Sequence, residues 1–223
     1  MRYDCHIHMI LDGQDWRAAI DRHRAAPEES FIRRVLESYA REGFVYLRDG
    51  GDRWGAGKRA RELAPEYGIT YRTPLAPLCR RGHYGAFIGL TYENYREYRE
   101  LINHQRSEGA DFVKIMISGL MDFDRYGVLT DIPREEEEIR ELIHIAHEEG
   151  FSVMVHANGA RTVEAAARGE WTLWNTVPTW TLTPSMPCGK TALSGFLPCP
   201  PSAISGEKAG LTKPLCGRSW TAR

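Results

Sequence analysis

Short apolar runs alternate with amphipathic stretches along the first 168 residues of the chain. The apolar runs are rich in β-branched residues, and several amphipathic stretches end at a glycine of the kind that terminates helices. The pattern predicts strands at Tyr3–Met9, Phe44–Leu47, Ile69–Leu75, Phe112–Ser118 and Phe151–His156. It predicts helices at about Phe31–Glu42, Gly57–Tyr67, Tyr92–Glu108, Glu135–Glu149 and Ala160–Arg168.

Strands that alternate with helices pair in parallel, so the pattern indicates an α/β fold. No glycine-rich phosphate loop follows the first strand, which favours a TIM-like (β/α) barrel over a dinucleotide-binding sheet. About five of the eight βα units of such a barrel are recognisable. We therefore expect an incomplete barrel over residues 1–168 and an irregular C-terminal tail over residues 169–223.

The helix patterns also predict some local details. Ser30 stands where the N-cap of the Phe31–Glu42 helix is expected, and Gly43 is expected to end that helix. In the Tyr92–Glu108 helix, the spacing of Tyr95, Tyr98, Leu101 and Ile102 predicts that these side chains point inward.

The first strand carries two histidines, His6 and His8, within the run Y-D-C-H-I-H-M. Residues two apart on a strand share a face, so both imidazoles point the same way. Neutral imidazole nitrogens are common ligands of zinc-like cations. The pair is consistent with half of a metal site, but also with a half-buried strand that happens to carry two histidines.

Two later strands carry further unusual residues on one face. Val113, Ile115 and Ile117 share the face that suits packing under helices, which leaves Lys114 on the opposite face. The same parity in Phe151–His156 puts His156 opposite Val153 and Val155. Lys114 and His156 are therefore expected to point into the barrel, as His6 and His8 would.

A lysine ammonium inside an apolar barrel is costly unless it is neutralised or used as a ligand. One interpretation pairs Lys114 with an acid such as Asp4, and a second makes it a Schiff-base lysine. A third is that CO2 adds to its amine and gives a carbamate, an anion that can bridge two metals. The histidines on the neighbouring strands favour the third interpretation.

The segments D-C-H-I-H-M, D-F-V-K-I-M-I-S-G and M-V-H-A-N-G occur in this order, separated by βα units. In this the chain resembles the amidohydrolase superfamily, and within it the imidazolonepropionase-like and Xaa-Pro-dipeptidase-like branch. The resemblance covers about residues 1–168. It implies that His6 and His8 hold a first divalent metal, that Lys114 bridges as a carbamate, and that His156 holds a second metal. Zinc is the expected ion.

The same resemblance implies a metal-dependent hydrolase that cleaves amide-like C–N bonds in a small polar substrate with a metal-activated water. The family also needs a histidine on the sixth strand and a proton-shuttling aspartate on the eighth. No histidine follows His156, and no aspartate is an evident candidate, so no catalytic proton-transfer residue is assigned. The alternative is a truncated, catalytically silent or merely metal-binding remnant of such an enzyme.

The segment R-R-G-H-Y-G lies just past the third predicted strand, where the active-site loops of barrels belong. A solvated basic turn is one explanation of it. The other is that Arg80 or Arg81 binds a substrate carboxylate with His83 and Tyr84 nearby. Of the remaining histidines, His23 and His104 are expected to face solvent, and His144 and His147 to lie on the surface or at an interface.

Residues 169–223 lose the periodicity of the preceding segments and contain seven of the twelve prolines and four of the six tryptophans. A Pro/Ser-rich disordered tail is one interpretation, but the tryptophans fit it poorly. We favour a reading-frame shift near Gly169. In the shifted frame, a codon consists of the last base of one present codon and the first two bases of the next. The junctions Trp171–Thr172 and Trp180–Thr181 then encode aspartate, and the junction Trp174–Asn175 encodes glutamate. These residues agree with the family's sixth strand and its surroundings.

Composition narrows the possible partners and surroundings. The chain has 223 residues, a formal net charge of −1 and a sequence pI of about 6.7, so neither nucleic acid nor an acidic membrane surface is an expected partner. No apolar run is long enough to span a bilayer, and the N-terminus does not resemble a signal peptide. Five cysteines without paired spacing suggest a reducing, cytoplasmic location. A small-molecule substrate and possibly a homo-oligomer are expected.

Overall fold

The computed structural model describes residues 1–122 and 124–169 and the backbone of Leu173–Asn175. Eight strands are present in this part: β1 Arg2–Ile7, β2 Phe44–Asp49, β3 Thr70–Arg72, β4 Leu78–Arg80, β5 Leu90–Tyr92, β6 Val113–Met116, β7 Val153–His156 and β8 Leu173–Asn175. The helices are α1 Trp16–His23, α2 Glu29–Arg41, α3 Ala56–Leu63, α4 Tyr95–Ser107, α5 Glu136–Glu148 and α6 Ala160–Arg168, with a 3₁₀ turn at Ala64–Tyr67.

All strand pairs in these residues are parallel and form two sheets. One has the order β1-β2-β3 and the other the order β5-β4-β6-β7-β8. Parallel neighbours with helical crossovers are what the alternating sequence pattern predicts. The predicted α/β fold of the incomplete-barrel type is confirmed.

Helices α4, α5 and α6 cover the outer face of β6 and β7. Tyr98 and Ile102 of α4 and Leu142 of α5 are fully buried in one apolar cluster with Val113, Ile115, Val153 and Val155. The β-branched side chains of β6 and β7 therefore face the helices, as their parity predicts. The opposite face of each strand, which carries Lys114 and His156, is left for the interior.

A second apolar cluster joins the first sheet to α2 and α3. Ile32 and Leu36 of α2 and Leu63 of α3 pack there with Ile7 and Leu47 of the strands. Gly43 ends α2 with a φ of +81°, as expected for a helix-terminating glycine.

Several local predictions are wrong. The stretch before α2 contains a helix, α1, whose N-cap Asp15 accepts hydrogen bonds from the Arg17 and Ala18 backbone amides. Ser30 is not the N-cap of α2, because that helix begins one residue earlier and Glu28 takes the cap position. Tyr95 is 44% exposed, since it begins α4 after the Asn94 cap and its side chain does not reach the core.

The segment after residue 169 is described only at β8, whose Leu173, Trp174 and Asn175 pair with Met154, Val155 and His156 of β7. The sequence patterns do not predict this strand. The rest of the predicted irregular tail and the proposed reading-frame shift lie outside the described residues. None of the helices in the described part is long and apolar enough to cross a membrane.

Candidate active site

His6 and His8 lie side by side at the end of β1 with their side chains directed to one point. Their Nε2 atoms are 3.2 Å apart, and the ring planes are inclined at 64°. Two imidazole nitrogens bound to one tetrahedral zinc ion would be about 3.3 Å apart, given Zn–N bonds of roughly 2.0–2.1 Å. The spacing of the two nitrogens therefore suits a shared cation.

Lys114 and His156 come from the neighbouring strands β6 and β7, which pair in register with Met116 beside His156. Lys114 is fully buried and His156 is 6% exposed. The charge of Lys114 lowers the pKa of all three histidines, and the charges of His8 and His156 also lower the pKa of His6. The four side chains that the sequence singles out therefore lie near enough to affect one another's ionisation, and a contact between two of them is seen for His6 and His8.

Burial and the neighbouring positive charges favour the neutral forms of these groups by lowering each pKa. Desolvation, followed by the charge of Lys114, lowers the pKa of His8 to about 4 and that of His156 to about 3. The same causes put the pKa of His6 well below its ordinary value. Desolvation, followed by the nearby Arg48, lowers the pKa of the Lys114 amine strongly. Neutral imidazoles and a neutral amine are the forms that can bind a cation or react with CO2.

His156 is held by residues from the ends of β6 and β7. The Asn158 side-chain nitrogen lies 3.1 Å from His156 Nε2 and donates to the Gly119 carbonyl at 2.8 Å. The Asn158 backbone amide donates to Ser118 Oγ at 2.8 Å. Sequence patterns do not predict these hydrogen bonds, although Asn158 stands two residues after His156 in the segment H-A-N-G.

The loop after β4 reaches the same place through Tyr84, whose ring centroid is 5.1 Å from that of His156. Asp131, in the loop after β6, accepts hydrogen bonds from the Tyr84 backbone amide at 2.7 Å and lies 3.1 Å from His83 Nδ1. Arg80 and Arg81 instead form ion pairs with Glu138 and Glu93. Only Tyr84 of these four residues is therefore seen against a histidine of the candidate site.

The remaining histidines have different surroundings. His104 and His144 are exposed and His147 is partly exposed, in agreement with the sequence interpretation. The expectation that His23 faces solvent is wrong, because His23 is fully buried, with its Nδ1 accepting a hydrogen bond from the Glu28 amide at 3.0 Å and its ring against Phe31. The short helix α1 that buries it was not expected.

Gly50 leaves the space that the His8 ring occupies, because a Cβ atom at position 50 would collide with the imidazole. We expect Gly50→Ala to displace His8, to destabilise the fold by about 1–3 kcal/mol as overpacking does, and to weaken divalent-metal binding. Urea unfolding and a zinc titration of the variant measure the two effects. A variant that binds zinc like the wild-type chain would mean that the His8 position does not matter for metal binding.

Within residues 1–122 and 124–169, no group of three or more His, Cys, Asp or Glu side chains is arranged to hold a metal ion. His6, His8 and His156 are therefore not arranged around a single cation, and the pair His6 and His8, with its two nitrogens 3.2 Å apart, is the part of the candidate site that suits one. A lysine amine becomes an anionic oxygen ligand only after it forms a carbamate. The four residues together therefore fit divalent cations only on the condition that Lys114 is modified in this way.

No protein-family model matches the sequence, and a search of curated proteins finds no match. Solved structures do match. An amidohydrolase is 20% identical with a TM-score of 0.59, an Aspergillus niger ochratoxinase is 17% identical with a TM-score of 0.58, and a Xaa-Pro dipeptidase with bound methionine is 18% identical with a TM-score of 0.58. Each match covers 77% of this chain and 46% of the other chain.

The chain thus spans less than half the length of these relatives. At such low sequence identity, the similarity is evidence for the fold of the chain and not for its substrate. The chain has the fold of the amidohydrolase structures, and the fold that the sequence resemblance implies is confirmed.

Proposed function

We propose that the chain is a metal-dependent hydrolase of the amidohydrolase type, which cleaves amide-like C–N bonds in a small polar substrate. The observation that carries this proposal is the pair His6 and His8, with their Nε2 atoms 3.2 Å apart, beside the electrostatic effect that the buried Lys114 has on both of them and on His156. The amidohydrolase fold of the chain supports it.

The four residues would bind two metal ions. His6 and His8 would bind one divalent ion and His156 a second, with the modified Lys114 between them. Zinc suits this set, since it accepts imidazole nitrogen together with carboxylate-like oxygen. Bound metal would supply a polarised substrate carbonyl and an activated water.

Lys114 can form the carbamate when its amine is neutral, and burial and the nearby Arg48 favour that form by lowering the pKa of the amine. The amine nitrogen attacks the carbon of CO2, an N–C bond forms, and one amine proton leaves to solvent. The product carries one negative charge, which bound cations and the nearby Arg48 would stabilise. Burial at 0% exposure protects the group from water once it is formed.

The loop after β4 would bind the substrate. Tyr84 stands over His156, and the half-exposed Arg80 and Arg81 can exchange their partners Glu138 and Glu93 for a substrate carboxylate. His83 is tied to Asp131 and Arg134 and would keep this loop in place.

Replacement of Arg80 or Arg81 by methionine tests this assignment. We expect KM for an N-acyl amino acid to rise about tenfold, because a hydrogen bond to a charged group contributes roughly 1.5–3 kcal/mol, while the same substrate with its carboxylate amidated is unaffected. Arg96→Met, on the exposed surface of α4, is the control. Equal effects on both substrates would exclude carboxylate recognition by these arginines.

A second candidate function is metal binding without turnover. It is favoured by the absence of any histidine after His156 in the 223 residues, because the family mechanism uses a further histidine and an aspartate to complete the second metal site and to move the proton. This chain would then bind metal weakly or at one position only. The cytoplasmic location, small-molecule substrate and possible homo-oligomer expected from the sequence stay predictions.

One experiment separates the two candidates. The experiment compares the 223-residue chain with a chain in which the reading frame is restored near Gly169. For each chain, the metal content is measured, together with the hydrolysis of a substrate panel. The panel holds N-acyl amino acids, cyclic amides and dipeptides, with Xaa-Pro dipeptides among the last. The hydrolase proposal predicts metal binding and turnover in both chains. The second candidate predicts two metals and turnover in the restored chain only, with weak or single-metal binding and negligible turnover in the 223-residue chain. Two metals and equal turnover in the 223-residue chain would contradict the reading-frame hypothesis.

A further inference from the structure

A buried carboxyl group lies directly behind the first two histidines. Asp49, the last residue of β2, is fully buried. One of its oxygens accepts a hydrogen bond from the Met9 backbone amide at 3.2 Å, and the other accepts from Thr73 Oγ1 at 3.1 Å. Asp49 therefore links the ends of the first three strands of the chain.

The bonds made by Asp49 and its neighbour bracket His8 on both sides. Met9, which follows His8, is bound by the Asp49 carboxyl, and Ile7, which precedes it, accepts a hydrogen bond from the Gly50 amide at 2.7 Å. The His8 ring lies against Gly50 itself. The backbone of His8 is thus fixed at its two flanking residues by Asp49, the last residue of β2, and by Gly50, which follows it.

The far side of this arrangement is also fixed. Thr73 Oγ1 accepts a hydrogen bond from the Leu75 amide at 3.1 Å, and the Leu75 carbonyl accepts one from the Asp52 amide at 2.8 Å. Leu75 has a φ of +67°, a left-handed conformation that is costly for leucine. Surrounding structure must maintain such a conformation, and the bonds to Thr73 and Asp52 do so.

Packing alone does not explain a carboxyl group at this position. Burial, with the neighbouring Asp52, raises the pKa of Asp49 to about 7, which shows that ionisation is opposed here. Close packing leaves no room for a change of shape, because a Cβ atom on Gly57 would collide with Asp49 Oδ2. A buried polar group with such a desolvation cost is explained when its hydrogen bonds hold neighbouring groups in positions that an apolar residue could not fix.

We propose that Asp49 is a positioning residue for His8, which holds the imidazole in its metal-binding place through the Met9 amide and the link to Thr73. The role of His8 as a ligand rests on the proposed function. The positioning itself does not require metal, so the two can fail separately.

Three variants of the full chain test the proposal. Asp49→Ala removes the hydrogen bonds from Met9 and Thr73, whereas Asp49→Asn keeps an oxygen that can accept from Met9. Asp52→Ala is the matched control: it also removes a buried carboxyl, but one that accepts from the Trp54, Ala56 and Gly57 amides at the start of α3 and does not bond to residues 7–9. Cobalt(II) affinity and visible absorption are measured for each, together with urea unfolding.

We expect Asp49→Ala to weaken cobalt binding by roughly 10–100-fold, which is typical when a residue that orients a metal ligand is lost, and to alter the absorption spectrum. Asp49→Asn should stay within about threefold of wild type. Asp52→Ala should lose stability but not affinity. Cobalt binding by Asp49→Ala equal to that of wild type would overturn the proposal, as would an equal loss of affinity in Asp52→Ala.

Metal-free protein provides the second measurement. The ring ¹H–¹³C NMR signal of His8, assigned with His8→Gln, should move in Asp49→Ala, return in Asp49→Asn and stay unchanged in Asp52→Ala. Failure of the wild-type chain to bind cobalt would contradict the proposed function, while this signal would still test the position of His8. If Asp49→Ala does not fold, Thr73→Val replaces it, because it removes the hydrogen bond that Thr73 Oγ1 donates to Asp49. An unmoved His8 signal in that variant would overturn the proposal.

Discussion

Replacement of Lys114 by methionine is expected to abolish divalent-metal binding and hydrolysis while leaving the fold intact or more stable. Lys114 is fully buried, and desolvation already opposes its charge. Methionine has a similar length and no ionisable group, so burying it costs less. The metal site would lose the anion between its two halves, and affinity should fall by more than the roughly 100-fold that follows loss of a residue that only supports a ligand.

Metal analysis after dialysis against zinc and bicarbonate, with urea unfolding in parallel, measures both parts of this prediction. Lys58→Met is the matched control, because Lys58 is half-exposed on α3 and pairs with Glu108. Retention of metal by Lys114→Met would exclude the carbamate. Loss of metal together with unfolding would indicate instead that the lysine is needed for the fold.

The second large effect concerns pH. His156 has a pKa of about 3 in the metal-free fold because of burial and the charge of Lys114, whereas an unfolded histidine titrates near 6.5. Below pH 6.5 the unfolded chain therefore binds a proton at this position that the folded chain does not, and stability falls with decreasing pH until the folded pKa is reached. The contribution is fully present above pH 6.5.

In the variant His156→Gln, the unfolded chain cannot bind this proton, because glutamine does not titrate. Between pH 7 and pH 4.5, the difference in unfolding free energy between wild type and variant should shift by roughly 2.5 kcal/mol in favour of the variant. Urea unfolding in the presence of EDTA at the two pH values measures this shift. His104→Gln, at an exposed position of α4, should show almost none. A constant difference for His156→Gln would mean that His156 titrates normally in the fold.

Regular periodicity made the main elements predictable. Strands β1, β2, β6 and β7 and helices α2, α5 and α6 lie close to their expected positions, because each has a strong apolar pattern and a clear end signal. The parity of β6 also placed Lys114 on the face away from the helices. These are local properties of the chain, which sequence patterns record well.

The missed features depend on contacts between distant parts of the chain. Asp49 precedes two glycines, a pattern typical of a turn, and nothing in the sequence signals its bonds to Met9 and Thr73. His23 is buried by a helix too short to have a clear period. Strands β4 and β5 have three residues each, too few for an alternating pattern to be distinguished.

The arrangement around the histidines was predictable only in part. The sequence indicates which four side chains share the interior, since strand parity and order are enough for this. It does not indicate that Asn158 and Ser118 frame His156, or that Asp131 connects the two loops at the site. These hydrogen bonds arise from the relative placement of loops, which no local pattern encodes.

The most direct test of the central claim is the zinc content of the full chain and of the His6→Ala/His8→Ala double variant, after dialysis against zinc and bicarbonate at neutral pH. If the four converging side chains form a metal site, the wild-type chain retains at least one zinc ion per molecule and the folded double variant retains almost none. Equal zinc content in both folded proteins, or none in the wild-type chain, would contradict the claim.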